Sequence, residues 1–147
     1  MGDNTEDCHS TSGYVFFLAN GTISWSSCKQ KTIAQSTSEA EYMALANVAN
    51  QAVRYQGFLK ELGYTVEDAV PLHDDNKGAV DLALNPVTGC WSKHINIKHY
   101  VIHKYIEDGQ ISLICTPTEE MVADSFTKSL LCTLLLCFNP NMGLCAP

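Results

Sequence analysis

The stretch "AQSTSEAEYMAL" (Ala34–Leu45) marks the start of the longest helix that the sequence predicts. Ser38 and Glu41 have the Ser-x-x-Glu spacing of a capping box, and a second such pair, ending at Glu39, precedes it by two residues. Either glutamate could be stabilised by the helix dipole alone, so spacing leaves a structural role and a metal-binding role open. A roughly helical apolar period continues until Gly63, through Tyr42, Leu45, Ala46, Val48, Ala49, Ala52, Val53, Phe58 and Leu59.

The sequence around this helix predicts a mixed α/β chain. Upstream, "GYVFFLANGTISWSS" predicts a hairpin with strands at about 13–19 and 22–27, because Asn20-Gly21 suits a tight turn and tolerates positive φ. We expect Trp25 of this hairpin to lie in the core. Downstream, the predicted order is a strand in "AVPLHDD", helices in "NKGAVDLALN" and "HINIKHYVIHKYIEDG", a strand in "QISLICTPT" and a helix in "EEMVADSFTKSLL".

Composition restricts the class of protein. With 147 residues, 46% hydrophobic and 17% charged, the chain fits one globular domain with a real core. The net charge of −7 argues against a protein that holds nucleic acid by basic charge alone. Seven cysteines without a CxxC spacing argue against a zinc module or a disulfide scaffold. The acidic N-terminus is no secretory signal and "LLCTLLLCF" is too short to span a membrane, so we expect a cytoplasmic or nuclear protein that is not secreted.

Three carboxylates stand at or near the ends of the predicted elements. Glu41 begins the long helix, Asp75 follows a strand and Asp124 lies in the last predicted helix. If the fold brings them together, their charges require cations, and paired magnesium or manganese ions would suit phosphodiester hydrolysis. The alternative is structural, because each residue could equally be a helix-start, turn or surface acid.

Four separated segments resemble the ribonuclease H domain of copia-type retrotransposon Pol polyproteins, over about residues 10–128. They are "STSGYVFFLANGTISWSSCKQKTIAQSTSEAEYMAL", "DDNKGAV", "SKHINIKHYVIHKYIEDGQI" and "PTEEMVADSFTK". The resemblance implies a ribonuclease H-like fold, in which helices flank a five-stranded mixed sheet. It also implies hydrolysis of the RNA strand of RNA–DNA hybrids with magnesium or manganese. Glu41, Asp75 and Asp124 then correspond to catalytic metal ligands, and Glu39 to a helix-start residue.

The resemblance also implies partners for the chain. They are an RNA–DNA hybrid and the reverse transcriptase region of the parent polyprotein. The candidate phosphate contacts are the lysines Lys29, Lys31, Lys77, Lys93 and Lys98, and no membrane is expected. The histidines His94, His99 and His103 are better explained as structural or substrate-side residues than as a zinc site.

The chain departs from the family at both ends. The family's first, central strand and its catalytic aspartate would lie upstream of Met1, because Gly2-Asp3 matches the end of that segment. We therefore expect residues 1–130 to form a ribonuclease H-like domain that is incomplete at the N-terminus, followed by a divergent apolar tail at 131–147. Activity should be weak or absent, with a strand-donating partner or a homodimer filling the gap. The alternative is a catalytically inactive binding module, a remnant of the element.

Overall fold

The structure, a computed structural model, describes residues 10–30, 37–85 and 93–144. The chain divides into two compact units: the first combines the segment up to Gln35 with the segment from Pro117, and the second is Ser36–Thr116. The elements in chain order are β1 (Thr11–Leu18), β2 (Gly21–Lys29), α1 (Thr37–Glu61), β3 (Val70–Asp74), α2 (Lys77–Leu84), α3 (Lys93–Glu107), β4 (Ile111–Cys115), the 3₁₀ helices η1 (Thr118–Glu120) and η2 (Val122–Phe126), and α4 (Cys132–Asn141).

The hairpin of the first unit is confirmed, although its turn lies one residue earlier than predicted. β1 and β2 pair in antiparallel fashion, and Leu18 pairs with Gly21 across the turn. The two turn residues with positive φ are therefore Ala19 (50°) and Asn20 (63°), rather than Asn20 and Gly21. A two-residue loop of this kind requires positive φ at both central positions because its twist must match that of the strands.

The predicted helix over "EEMVADSFTKSLL" is wrong, because this part of the first unit forms two short 3₁₀ helices. Met121 lies between η1 and η2 with an extended backbone (φ −81°, ψ 92°) and is buried. An α-helix cannot continue through an extended residue, so Asp124 lies in η2 rather than inside an α-helix. The segment described above as a divergent tail contains a helix of its own, α4.

The second unit has its core between α1, a parallel pair of strands and two further helices. The apolar face of α1 is buried from Ala40 to Ala52, as the helical period predicts, whereas Phe58 on the last turns is 56% exposed. β3 and β4 are parallel, in register from Val70 opposite Ile111. Gln56 is buried and donates from Nε2 to the Gln110 carbonyl at 3.0 Å, which fixes α1 to the start of β4.

The mixed α/β class is confirmed. Among the described residues the strands form two separate two-stranded sheets, β1–β2 and β3–β4, rather than one five-stranded sheet. The strand expected to join them is the family's first strand, which lies outside the described residues, so the ribonuclease H-like fold stays a prediction. In the described part of the chain, no helix has the length and apolar character needed to cross a membrane.

Candidate functional site

Glu41 lies close to the start of α1, one turn further in than the sequence suggests. The first turn of α1 holds Glu39, and Glu41 follows as the fifth residue of the helix. Its side chain is partly exposed, between the buried residues Ala40 and Tyr42. Glu41 therefore stands at the border between the packed face of the helix and solvent, where its carboxylate could reach a ligand. Glu39 occupies the position that the helix dipole favours for an acid.

The carboxyl end of β3 carries two consecutive aspartates in different environments. Asp74, the last residue of the strand, shares a face with Leu72 and is buried, whereas Asp75 lies beyond the strand and is partly exposed. Asp74 Oδ1 accepts a hydrogen bond from the Asn76 backbone N–H at 2.8 Å. Asn76 Oδ1 in turn accepts from the Ala79 N–H at 3.1 Å and caps α2. These two bonds link the loop that holds Asp75 to the end of β3 through Asp74 and to the start of α2 through Asn76.

Burial raises the pKa of Asp74 from its ordinary value of 3.8 to about 6. The hydrogen bond from the Asn76 N–H lowers it, and the negative charge of Asp75 raises it further, by less than burial does. Perturbed carboxyl groups of this kind are frequent at functional sites. Asp74 is not among the predicted site residues, although its spacing of two residues from Leu72 in a strand would have predicted that it faces inward.

The neighbouring strand ends are tied together by hydrogen bonds. The Thr116 N–H donates to the Asp74 carbonyl at 2.9 Å. The exposed His73 ring shares a hydrogen bond of 2.7 Å between its Nδ1 and Thr116 Oγ1. These bonds extend the parallel pair by one residue beyond β4. They hold the backbone from His73 to Asp75 in a defined position, which a binding or catalytic site needs.

Asp124 belongs to the first unit, whereas Glu41 and Asp75 belong to the second. Asp124 is 8% exposed, and its Oδ2 accepts a hydrogen bond from Lys128 Nζ at 2.9 Å. Within neither unit do three His, Cys, Asp or Glu side chains, among those that the structure describes, form a group able to hold a metal ion. The convergence of Glu41, Asp75 and Asp124 therefore stays a prediction.

The other candidate contacts are described only in part. Lys29, at the end of β2, and Lys77, at the start of α2, are exposed as phosphate contacts would need to be. Lys31 and the side chains of Lys93 and Lys98 lie outside the described part of the chain, as do those of His94 and His99. The prediction for Trp25 is wrong, because its side chain is 62% exposed on β2.

Comparison with known proteins relates the chain to one group of polyproteins. It is 35% identical over 127 residues to the retrovirus-related Pol polyprotein from transposon RE2 of Arabidopsis thaliana, which covers 86% of this chain and 9% of that protein. It is 35% identical over 138 residues to that from transposon RE1 of the same plant, covering 94% of this chain and 9% of that protein. It is 33% identical over 128 residues to that from transposon TNT 1-94 of Nicotiana tabacum, covering 87% and 10%.

The chain thus spans about a tenth of the length of these relatives. No protein-family model matches the sequence. No solved structure matches it either. The predicted origin in a copia-type retrotransposon is supported by the three relatives, whereas the assignment to a ribonuclease H domain stays a prediction. Over most of its length, the chain is homologous to a segment of the retrovirus-related Pol polyproteins of transposons.

Proposed function

We propose that the chain is the ribonuclease H-like segment of a retrotransposon Pol polyprotein, and that its site descends from one that hydrolyses the RNA strand of RNA–DNA hybrids and retains at most weak activity. One observation carries this proposal: the carboxyl end of β3, beside its parallel partner β4, presents Asp75 immediately after a buried aspartate. The ends of parallel strands are where α/β proteins commonly place their sites.

The donor set fits magnesium or manganese. Glu41, Asp75 and Asp124 supply only carboxylate oxygens, which are the ligands that these hard cations prefer. Bound ions would activate a water molecule and stabilise the leaving oxygen of the phosphodiester. The burial of Asp74 beside Asp75 indicates that negative charge is unfavourable at this strand end, so a cation there would be stabilising. Asp124 already has a cationic partner in Lys128, which an ion would have to displace or share.

The substrate would be bound through few positive charges. With a net charge of −7, the chain would repel a hybrid, and this repulsion is reduced by divalent cations and by the exposed Lys29 and Lys77. Binding should therefore be weak and should require magnesium or manganese. The reverse transcriptase region of the same polyprotein is the partner that would supply the remaining affinity. We expect this protein to act in the cytoplasm or nucleus.

The experiment compares two glutamates that lie two residues apart on α1. The purified chain is incubated with an RNA–DNA hybrid labelled on the RNA strand, with magnesium or manganese. Alongside it are tested Glu41→Gln and the charge-matched control Glu39→Gln. We expect any cleavage to be weak, to be removed by Glu41→Gln and to be retained by Glu39→Gln, because only Glu41 corresponds to the metal ligand. Equal activity in both variants would reject the assignment, and a folded chain that does not cleave would reject the activity.

A second candidate function is a binding module without catalysis. The observation that favours it is the 2.9 Å bond between Lys128 and Asp124, which neutralises a buried carboxylate without any metal ion. Fluorescence anisotropy with a labelled hybrid separates the two candidates. Binding without cleavage, unchanged in Glu41→Gln, would support the binding module, whereas metal-dependent cleavage would support the nuclease.

A further inference from the structure

Trp25 is the most exposed of the large apolar side chains on the hairpin, with 62% of its surface accessible. The register of the hairpin is regular from Ser24 onward, and alternate residues of a strand share a face, so Trp25 and Lys29 point the same way. Lys29 is exposed as well. Phe16, opposite Ser24, belongs to the other face and is buried. We refer to the face of the hairpin that carries Trp25, Ser27 and Lys29 as the tryptophan face.

The tryptophan face is the one against which η2 packs. Ser27, two residues after Trp25, donates from Oγ to the Phe126 carbonyl at 2.6 Å. Gly13, the cross-strand partner of Ser27, lies so close to η2 that an added Cβ would come within 2.9 Å of Phe126 Cβ. Because η2 also holds Asp124, the exposed tryptophan lies beside the segment that carries one of the candidate catalytic carboxylates.

Charge indicates which kind of ligand fits the tryptophan face. From residue 10 to residue 38 the only charged side chains are Lys29 and Lys31, in a chain whose net charge is −7. The hairpin thus combines a cation with an exposed indole and carries no acid. Single-stranded nucleic acid is recognised by this combination, because its bases stack on aromatic side chains while its phosphates pair with cations. An acidic peptide could use the lysine, but it would leave the indole without a planar group to stack on.

We propose that the tryptophan face binds single-stranded nucleic acid, with one base stacked on Trp25 and a backbone phosphate paired with Lys29. The two residues are four apart in a strand, so their Cα atoms lie roughly 13 Å from each other, a distance that a few extended nucleotides span. The stacked base must be unpaired, because bases inside a duplex have no free face. The ligand therefore differs from the duplex of the proposed function, and its binding does not depend on whether the chain cleaves.

The test measures binding by the full chain in EDTA, where the proposed cleavage cannot occur, so failure of this proposal is distinct from failure of the nuclease. Fluorescence anisotropy follows a labelled oligothymidylate of about twelve nucleotides, a length within the site sizes of such surfaces. Oligouridylate is measured beside it, and the tighter ligand identifies the class of strand, DNA or RNA. The variants are Trp25→Ala and the conservative Trp25→Phe. Tyr100→Ala is the matched control, because Tyr100 is an aromatic residue of the second unit that is 71% exposed.

We expect the wild type to bind with a dissociation constant on the order of 10–100 µM at low salt. Trp25→Ala should raise this constant by about 5- to 100-fold, because it removes the stacked ring, whereas Trp25→Phe should raise it by less than about threefold. Tyr100→Ala should leave it unchanged. Lys29→Gln should lower the slope of log K against log salt by about 0.7, because one phosphate contact is lost. Lys60→Gln, at an exposed lysine of the second unit, should leave that slope unchanged.

A second readout observes the stacking itself. In a Trp91→Phe background, Trp25 is the only tryptophan of the chain, so saturating oligothymidylate should quench the tryptophan emission. Emission that is unchanged at saturation would overturn the proposal, as would equal losses of affinity in Trp25→Ala and Tyr100→Ala. Absence of wild-type binding up to about 1 mM would also overturn it, since non-specific binding is normally tighter than that. Self-association or binding to phosphatidylcholine vesicles that Trp25→Ala abolishes, in place of oligonucleotide binding, would overturn it too. Circular dichroism confirms that each variant is folded.

Discussion

Replacing Asp74 by asparagine should remove a pH dependence of stability that this residue introduces. The folded pKa of about 6 lies above the ordinary value of 3.8, so the folded chain binds the extra proton more tightly than the unfolded chain. The ionised form of Asp74 therefore destabilises the folded chain. This destabilisation is small at pH 4 and absent below about pH 3, where Asp74 is protonated in both states. It develops as the pH rises from about 4 to 6 and is complete above pH 6.

The structure sets the magnitude of this effect. A difference of roughly two pH units between the folded and unfolded pKa corresponds to about 3 kcal/mol at pH 7.5. Asparagine has nearly the same shape and keeps the oxygen that accepts from the Asn76 N–H, so the only intended change is the loss of the charge. We expect Asp74→Asn to lie within about 0.5 kcal/mol of the wild type at pH 4 and to be more stable by about 2–3 kcal/mol at pH 7.5.

The assay is urea unfolding followed by circular dichroism between pH 4 and pH 7.5, in EDTA so that no divalent cation contributes. Asp81→Asn provides a control with the same change of charge, because Asp81 is exposed on α2. Its difference from the wild type should stay within about 0.5 kcal/mol at every pH. A difference for Asp74→Asn that does not vary with pH would refute the assigned cause. An Asp74→Asn chain less stable than the wild type at pH 7.5 would refute it as well.

Further predictions concern the backbone and can be checked by the same unfolding assay. Gly13→Ala should destabilise by about 1–3 kcal/mol, because its Cβ would lie 2.7 Å from Thr127 Cγ2. Gly57→Ala should stabilise by up to about 1 kcal/mol, because nothing lies within 4 Å of its Cβ on α1. If Gly13→Ala and Gly57→Ala changed the free energy of unfolding in the same direction, the packing described at the two glycines would be contradicted. Asn76→Ala should cost about 1 kcal/mol through the lost cap of α2, and an unchanged midpoint would rule that cap out. Ala19→Gly should stabilise by about 0.5–1 kcal/mol, because Ala19 has a φ of 50°; a less stable variant would argue against that turn.

The elements that the sequence predicts correctly are those with a clear local signal. The hairpin follows from strand alternation around a turn pair, and α1 from a long helical period with an acidic start. The turn shifts by one residue because the pairing of Leu18 with Gly21 depends on register across two strands. Local sequence therefore predicts that such an element exists more reliably than it predicts the residues at which the element begins and ends.

The features that the sequence misses depend on tertiary packing. The helix expected around Asp124 is replaced by two 3₁₀ helices, because Met121 between them is buried in an extended conformation. No local sequence pattern predicts that conformation. Trp25 is exposed because the surroundings of the hairpin, rather than its own alternation, decide which of its side chains are covered. For the candidate site, Glu41 and Asp75 were named from their places at element ends and from the resemblance, whereas the raised pKa of Asp74 depends on its burial in three dimensions.

The first unit is built from both ends of the chain, and this has a consequence during synthesis on a ribosome. The bond between Ser27 and Phe126 spans 99 residues, and closing a loop of that length costs about 4 kcal/mol of chain entropy. At a synthesis rate of roughly 5–20 residues per second, η2 emerges roughly 5–20 s after the hairpin. The second unit, contiguous in sequence, is complete first and can fold in that interval. During this interval the hairpin has no η2 packed against it, and its aromatic side chains are exposed. The nascent chain is then prone to aggregation and would benefit from a chaperone.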